Sequence, residues 1–353
     1  MHKLIRNLLS FLPLLLVSCN ATIPFSMDVL SSGYMNTSAG KQGLLLVDNT
    51  GKQAPDFGHG VYLFNKLVND TSFETSSIPS QVLYFLSVHL EEENFYNPVT
   101  VAPDSWLRPV KTEQLDFFRT DELTNLQKNV LKDSTDADLW ISLDKLVTKT
   151  KTDVQNIAGM YHASRDVIVN TVWHVMDANA DTLCLVFQHN DSLYWEDWNE
   201  TARSAVRLLP DFEETVPEIA DYIAERVYKI FGPYWQPVER FYYVTGGYRM
   251  KFAADCIKNN DWEGASELWQ EEFDKGFGRS VYRSAMNMML YYEYQDKPEE
   301  ALIWGERAKT SFDSHFMHGS AWDRQVLSAY ITYLQLRKEE LSKLNAIRCA
   351  IIN

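Results

Sequence analysis

Val167-Ile168-Val169-Asn170-Thr171-Val172-Trp173-His174-Val175-Met176 and Thr182-Leu183-Cys184-Leu185-Val186-Phe187-Gln188-His189 form two apolar arms joined by Asp177-Ala178-Asn179-Ala180-Asp181. A short polar link between two β-branched and aromatic runs predicts a hairpin. Successive strand side chains point to opposite faces. Val167, Val169, Thr171, Trp173 and Val175 therefore share one side of the first arm, and Leu183, Leu185 and Phe187 one side of the second. Hairpin arms are antiparallel, so the sheet that holds them is not purely parallel.

Upstream, the rhythm changes. Gly43-Leu44-Leu45-Leu46-Val47-Asp48 is a continuous apolar run between turn formers, the pattern of a strand covered on both faces. Ser80 to Leu90, after Pro79, places Val82, Leu83, Leu86 and Leu90 on one side and predicts a helix. Val99-Thr100-Val101 suggests a second strand. Thr120-Asp121-Glu122 opens a helix through Asp133 with Leu123, Leu126, Val130 and Leu131 inward, and Ala137 to Asp144 alternates into another strand. This alternation, closed by the hairpin, predicts an α+β domain over residues 43–214.

Past residue 200 the strand signals stop. Thr215-Val216-Pro217-Glu218 has capping-box spacing, and Ile219, Ala220, Ile223, Val227, Ile230 and Phe231 line one stripe until Gly232-Pro233. An all-helical domain is expected over 215–353, with the boundary between Leu209 and Thr215. Within it, Asn260-Asp261-Trp262-Glu263-Gly264-Ala265 overlays on Asp296-Lys297-Pro298-Glu299-Glu300-Ala301 with a shift of 36 residues, and each copy is followed by an inward Trp, at 269 and 304. This resembles the tetratricopeptide repeat, with Ala253 and Ala308 at positions where it takes small residues. Met289 and Glu272 depart from that pattern, and a plain antiparallel bundle is the alternative. Asp323 to Leu344 is expected to close the stack.

The chain opens with Lys3 and Arg6, an apolar run from Leu8 to Val17, and Leu16-Val17-Ser18-Cys19. The run is short for a membrane span, and a small residue directly before cysteine makes a lipobox. Residues 1–18 are therefore expected to be a lipoprotein signal peptide and Cys19 the acylated first residue. Residues 19–42 are read as the lipidated cysteine and a tether leading to an edge strand.

Lys3 and Arg6 leave with that segment, so 31 basic residues face 48 acidic ones and the net charge moves from −15 to −17. Such a field repels nucleic acid and anionic lipid. Beyond the anchor, three cysteines remain, Cys184, Cys256 and Cys349, with no CxxC spacing; one disulfide at most can form. Ten Trp, eighteen Tyr and eighteen Phe call for substantial cores.

Taken in order, the lipobox, the Leu-rich strand, Ala137-Asp138-X-X-Ile141-Ser142-Leu143, the Trp-containing hairpin, Pro233-Tyr234-Trp235-Gln236-Pro237-Val238-Glu239-Arg240-Phe241-Tyr242-Tyr243 and Trp262-Glu263-Gly264-Ala265 are similar to a family of Bacteroidota lipoproteins of unknown function that end in a tetratricopeptide-like pair. The resemblance implies an envelope protein of a diderm bacterium and brings no catalytic residues. The residue after the anchor is Asn20, so the acidic residue that favours inner-membrane retention in some bacteria is missing, as is the acidic surface-export signal of Bacteroidota lipoproteins. An outer-membrane position facing the periplasm is the expectation.

No residue set spells out a reaction. His315 and His318 are three apart, as metal ligands on one helix face are, but their surroundings read as a loop, so no metal and no cofactor is expected. His189-Asn190-Asp191 followed by Tyr194-Trp195-Glu196-Asp197-Trp198 combines acids, a base and stacking rings, which suits a glycan. Gly58-His59-Gly60 has the look of an oxyanion loop without a nucleophile. Gly246-Gly247 lacks a phosphate-loop lysine and reads as a hinge. Arg240 is expected across an aromatic face or paired with a carboxylate at the junction between domains. The leading expectation is a non-catalytic lipoprotein that binds another envelope protein, with Trp235, Arg240, Tyr243, Trp262, Trp269 and Trp304 as candidate contacts in a groove of the helical domain. A glycan-binding or glycan-processing role at His189 to Trp198 is the alternative.

Overall fold

A computed structural model describes residues 21–33, 43–92, 96–107, 117–118, 120–315 and 321–352. The signal peptide, Cys19, the rest of the lipobox and His318 lie outside the described residues, as do the side chains of His315 and Cys349. Among the described residues, one compact unit is built from Gly33–Tyr234. The other is built from Trp235–Asn345 together with the first strand, β1 (Thr22–Ser31). The α+β class holds: a mixed sheet is followed by a run of helices.

In the first unit, β2 (Leu44–Asp48) runs parallel to β5 (Val99–Val101) on one side and to the start of β6 (Leu139–Ile157) on the other. Leu44 and Leu46 pack with Val82, Leu83 and Leu86 of α1 (Ile78–Glu92). Leu45 and Val47 turn the other way, onto Leu107 of α2 (Asp104–Leu107) and Leu131 of α3 (Asn125–Ser134). All four β2 side chains are fully buried, which is why the strand reads as an unbroken apolar run.

The second half of β6 takes β3 (His59–Leu63) in parallel on the same edge as β2, and β4 (Lys66–Asp70) folds back on β3. Between β2 and β3 that edge is filled by Gln53, whose amide donates to the Thr148 carbonyl at 2.7 Å and accepts from the Thr148 N–H at 2.8 Å.

On its other edge β6 pairs along its whole length with β7 (Met160–Asp177), and β7 pairs with β8 (Thr182–Asn199). Trp173 sits opposite Phe187 and Val175 opposite Leu185, all on the α1 side, as the alternation requires. Leu183 leaves the inward row because the register shifts between Val175 and Met176. The arms are longer than expected, and residues 189–198, the stretch suggested for a glycan, continue β8. The β6–β7 turn is Ala158-Gly159, both at positive φ, which matches the twist of a two-residue hairpin.

Two helices start elsewhere than their sequence signals indicated. Helix α3 begins at Asn125 rather than Thr120, because Thr124 and Gln127 form the capping box; Leu126 is exposed and Gln127 buried. After the short α4 (Ala202–Leu208), α5 (Phe212–Phe231) begins under an Asp211 cap, and Thr215 hydrogen-bonds back to the Phe212 carbonyl instead of capping. Phe212, Val216, Ile219, Ile223 and Val227 join the Trp173 core. The helix expected to open the helical domain thus completes the sheet unit.

In the second unit, β9 (Tyr234–Tyr243) is a strand where only helices were expected, and its partner is β1. The Val244 N–H donates to the Ala21 carbonyl at 2.9 Å, so the start of β1 lies beside the end of β9. Five helices follow: α6 (Tyr248–Lys258), α7 (Trp262–Lys275), α8 (Arg279–Tyr294), α9 (Pro298–His315) and α10 (Ala321–Ile352). Asn260 and Asp296, superposed by the 36-residue shift, are both left-handed turn residues. Trp269, Trp304, Ala253, Ala265, Ala301 and Ala308 share one core. Glu272, where the repeat would place a small residue, is buried against Arg249 of α6 at 3.3 Å.

Candidate functional site

The helical unit has the groove-forming helices that the sequence suggested, but the chain's own β1–β9 ribbon occupies their surface. Asn287 of α8 acts as a strand neighbour to β9, accepting from the Tyr243 N–H at 2.7 Å and donating to the Tyr243 carbonyl at 2.8 Å. Tyr243 donates to Asp323 of α10. At the other end, Arg337 reaches the Leu30 carbonyl, and Glu340 accepts from the Ser31 hydroxyl at 2.6 Å and the Ser32 N–H at 2.9 Å. Phe25 packs edge-on to Trp262, and Met27 and Val29 enter the same core.

Arg240 makes both contacts anticipated for it, but inside this unit. Its guanidinium grips Glu293 at 2.7 to 3.1 Å and lies 4.2 Å from the Tyr333 ring centre, while Tyr330 donates to the same carboxylate. Burial opposes the charge on Arg240, and Glu293 overcomes it and holds the guanidinium protonated. Burial and then Glu293 push the Tyr330 phenol far up.

Five of the six proposed contact residues are consequently internal. Tyr243, Trp262, Trp269 and Trp304 are buried and Arg240 is committed to Glu293, whereas Trp235 stays 57 % exposed. Tryptophans at helical spacing mark packing here rather than docking.

A second place to look is the carboxyl end of the parallel strands, where α/β sheets usually bind ligands. Asp48, Thr50, Lys52, Thr75 and Asp104 border a cavity of about 110 Å³. Ordinary ligand pockets run to roughly 300–1,000 Å³, so this cavity is small beside them. Beneath it, Asp144 accepts from His174 at 2.6 Å, from Asn49 at 2.6 Å and from Ser142 at 2.9 Å, and Gln127 donates to Asn49. The hydrogen bond to Asp144 raises the His174 pKa against the pull of burial. An acid–base dyad next to a serine suggests hydrolysis, but Ser142 donates to the aspartate and not to the imidazole. The cluster is a mutually satisfied polar knot that ties β2, β6 and β7 to α3.

The third candidate is β8, the stretch suggested for glycans. Because 189–198 is strand, its side chains alternate and the expected assembly is divided. His189 and Asp191 face inward, 3.6 Å apart, with the His189 pKa lowered by burial and Tyr222 donating to Asp191. Trp195 packs against the cores. Tyr194, Glu196 and Trp198 face outward. There Glu196 accepts from Tyr194 at 2.6 Å and from His162 at 2.9 Å, and Trp198 lies 4.5 Å from the His162 ring. Donation by Tyr194, then by His162, holds the Glu196 carboxyl below the usual range. Exposed Leu183, Val186 and Ile168 extend this outward row. The signal that would have revealed it is the period of two continuing past His189 into Trp198.

Elsewhere, His59 is a buried strand residue bonded to Thr150, not part of an oxyanion loop. Gly246 and Gly247 lead into α6 at positive φ, and Gly246 packs closely against Ser280. Cys184 and Cys256 are free thiols. Among the described residues no cluster of His, Cys, Asp and Glu suits a metal ion, and no helix is long and apolar enough to cross a membrane.

Residues 42–243 match the model of a domain of unknown function, DUF8603. The chain belongs to the DUF8603 family. A second model, the domain of unknown function DUF6340, matches residues 251–336, starting within α6, so the first match takes in β9, which the structure groups with the helices. No curated protein matches. Among solved structures the chain is similar to the PelC dodecamer from Paraburkholderia phytofirmans (10 % identity, 58 % of this chain and 97 % of that chain, TM-score 0.26). It is also similar to a neuraminyllactose-binding hemagglutinin homolog from Helicobacter pylori (8 % identity, 55 % and 89 %, TM-score 0.26) and to the LpoB C-terminal domain from Salmonella enterica (9 % identity, 45 % and 87 %, TM-score 0.19). At such scores none of them transfers a function.

Proposed function

We propose that this chain is an outer-membrane lipoprotein, acylated at Cys19 and facing the periplasm of a diderm bacterium, that works by binding another envelope protein. The lipobox and the resemblance to Bacteroidota lipoproteins support the anchor. The β1–β9 ribbon packs on the helical unit at Asn287, Trp262 and Arg337, which argues against binding there and in favour of β8 as the recognition surface. One observation carries this assignment. Leu183, Val186, Tyr194 and Trp198, with Ile168 of the neighbouring β7, are exposed on the outward face of a strand about 60 Å long at 3.3 Å per residue, interspersed with the polar Gln188, Asn190, Ser192 and Glu196.

Crosslinked envelopes provide the test. Capture with the full-length protein is expected to recover a partner that the Ile168→Asp/Val186→Asp variant loses. Equal recovery by both proteins would remove β8 from the proposal. Metabolic palmitate labelling of the wild type, absent from Cys19→Ser, checks the anchor.

A second reading keeps the glycan, on the strength of the Trp198, Tyr194, Glu196 and His162 cluster, because an exposed indole beside a carboxylate is how proteins stack and hydrogen-bond a sugar ring. Isolated envelope polysaccharide retained by the wild type and not by Trp198→Ala would favour it over the protein partner.

A further inference from the structure

The start of β1 fixes more than the ribbon. Ala21 is hydrogen-bonded to Val244, and Cys19 lies two residues upstream. Two residues of extended chain span no more than about 7 Å. If Cys19 carries the acyl chains, as proposed above, the surface around Ala21 and Val244 must come within that distance of the lipid, because no longer tether separates them.

The side chains on that surface are unusual for an exposed helix start. Tyr248 and Phe252, one turn apart on α6, are 62 % and 59 % exposed, with ring centres 6.2 Å apart. Phe277, in the turn between α7 and α8, is 89 % exposed. The turn is held to the same place. A Cβ on Gly246 would lie 2.8 Å from the Ser280 Cβ, and Ser280 hydrogen-bonds the Phe277 carbonyl. Tyr248 follows Val244 by four residues, at most about 14 Å of chain. Three exposed aromatic rings therefore lie on the two segments that adjoin the start of β1, Tyr248 and Phe252 after Val244 and Phe277 in the turn held to Gly246. Lys251, next to Phe252 in sequence, is exposed, and Arg249, 4.8 Å from the Tyr248 ring, is paired with Glu271 at 3.2 Å and Glu272 at 3.3 Å. Rings with a cationic neighbour suit the headgroup layer, where aromatic side chains sit between hydrocarbon and water. The strongly negative chain gains nothing there from anionic lipid, so the attraction is one of apolar burial into a neutral interface.

We infer that Tyr248, Phe252 and Phe277 form a lipid-facing patch that dips into the headgroup layer of the anchoring membrane and fixes the helical unit flat against it. The patch depends on the lipoprotein reading for its purpose but not for its chemistry, so the two can be tested apart. The mature chain carrying Cys19→Ser, which has no acyl group, is mixed with vesicles of zwitterionic phosphatidylethanolamine and phosphatidylcholine and floated on a density gradient. A floating fraction is expected that falls at least fivefold in the Tyr248→Ser/Phe252→Ser/Phe277→Ser variant, with circular dichroism unchanged between the two. Equal flotation of both proteins, or none of either, overturns the patch and leaves the palmitate result to decide the anchor. Absence of palmitate label from the wild type, with flotation of the Cys19→Ser chain intact, refutes the anchor and keeps the patch. A protein that sediments as a dimer, becomes monomeric in the triple variant and never floats would make the patch an interface between copies, which also overturns the inference.

Discussion

Arg240 and Glu293 carry the largest single-residue expectation. The Glu293 side chain is 2 % exposed, and its partners are Arg240 and Tyr330. Arg240→Ala leaves a buried carboxylate without its cation and should cost about 3–5 kcal/mol, read from denaturant unfolding of the helical unit. Replacing both residues together, Arg240→Met/Glu293→Leu, should cost much less. His174 supplies a pH dependence. Its pKa is raised above the ordinary 6.5 by Asp144, so the stability it adds is complete below pH 6.5 and is lost as pH rises through the higher folded value. The melting-temperature advantage of wild type over His174→Gln should therefore shrink between pH 6 and pH 8. His59 and His189, both lowered by burial, act in the opposite sense, but they are common to the two proteins and cancel in the comparison. Arg240 was legible as a residue because an arginine among Phe241, Tyr242 and Tyr243 has few other uses. Trp262, Trp269 and Trp304 were misread as contacts because a tryptophan's size suits a core and an interface equally, and only burial separates the two.

At the scale of elements, legibility followed the strength of the local pattern. Strand β2 could be read because both its faces are covered and nothing polar interrupts it, and the β7–β8 arms because their inward rows are β-branched or aromatic. The second half of β6, with Lys145, Lys149 and Lys151 between threonines, could not, since its outward face is basic and only its pairing with β7 and β3 makes it a strand. Strand β9 was hidden more completely. It contains Pro237, and its partner is more than two hundred residues away at the other end of the chain, so no neighbouring turn signal announces it. Two expectations belong here. Met27→Asp puts a charge into the core beneath β1 and should free the ribbon, which increased binding of an apolar dye to the helical unit would register. Thr124→Ala removes the α3 cap and should lower stability by about 1 kcal/mol in thermal unfolding of the sheet unit.

For the molecule as a whole, the sheet unit is constrained at its edge. On β8 the Asp191 carboxylate takes the Ser192 N–H, Asp197 takes that of Trp198, and the Asn199 amide oxygen takes that of Glu200, each within 2.8 Å. Donors used in this way are lost to a further strand and weaken the 192–200 end of this edge as a template, so a partner that reads this end of β8 is expected to do so through its side chains rather than by adding to the sheet. A short extended peptide of β8 sequence is accordingly expected not to bind the folded protein in a fluorescence anisotropy titration. The ribbon bears instead on the order of events during synthesis. Strand β1 finds its mate, β9, only after more than two hundred further residues have been made, and the contact of Leu30 with Arg337 across 307 residues is added later still. A growing chain must keep that segment open until residue 243 has been made, and one broken off before Arg337 lacks the bond that fastens the far end of β1, which gives the cell's proteases a simple mark by which to recognise incomplete copies.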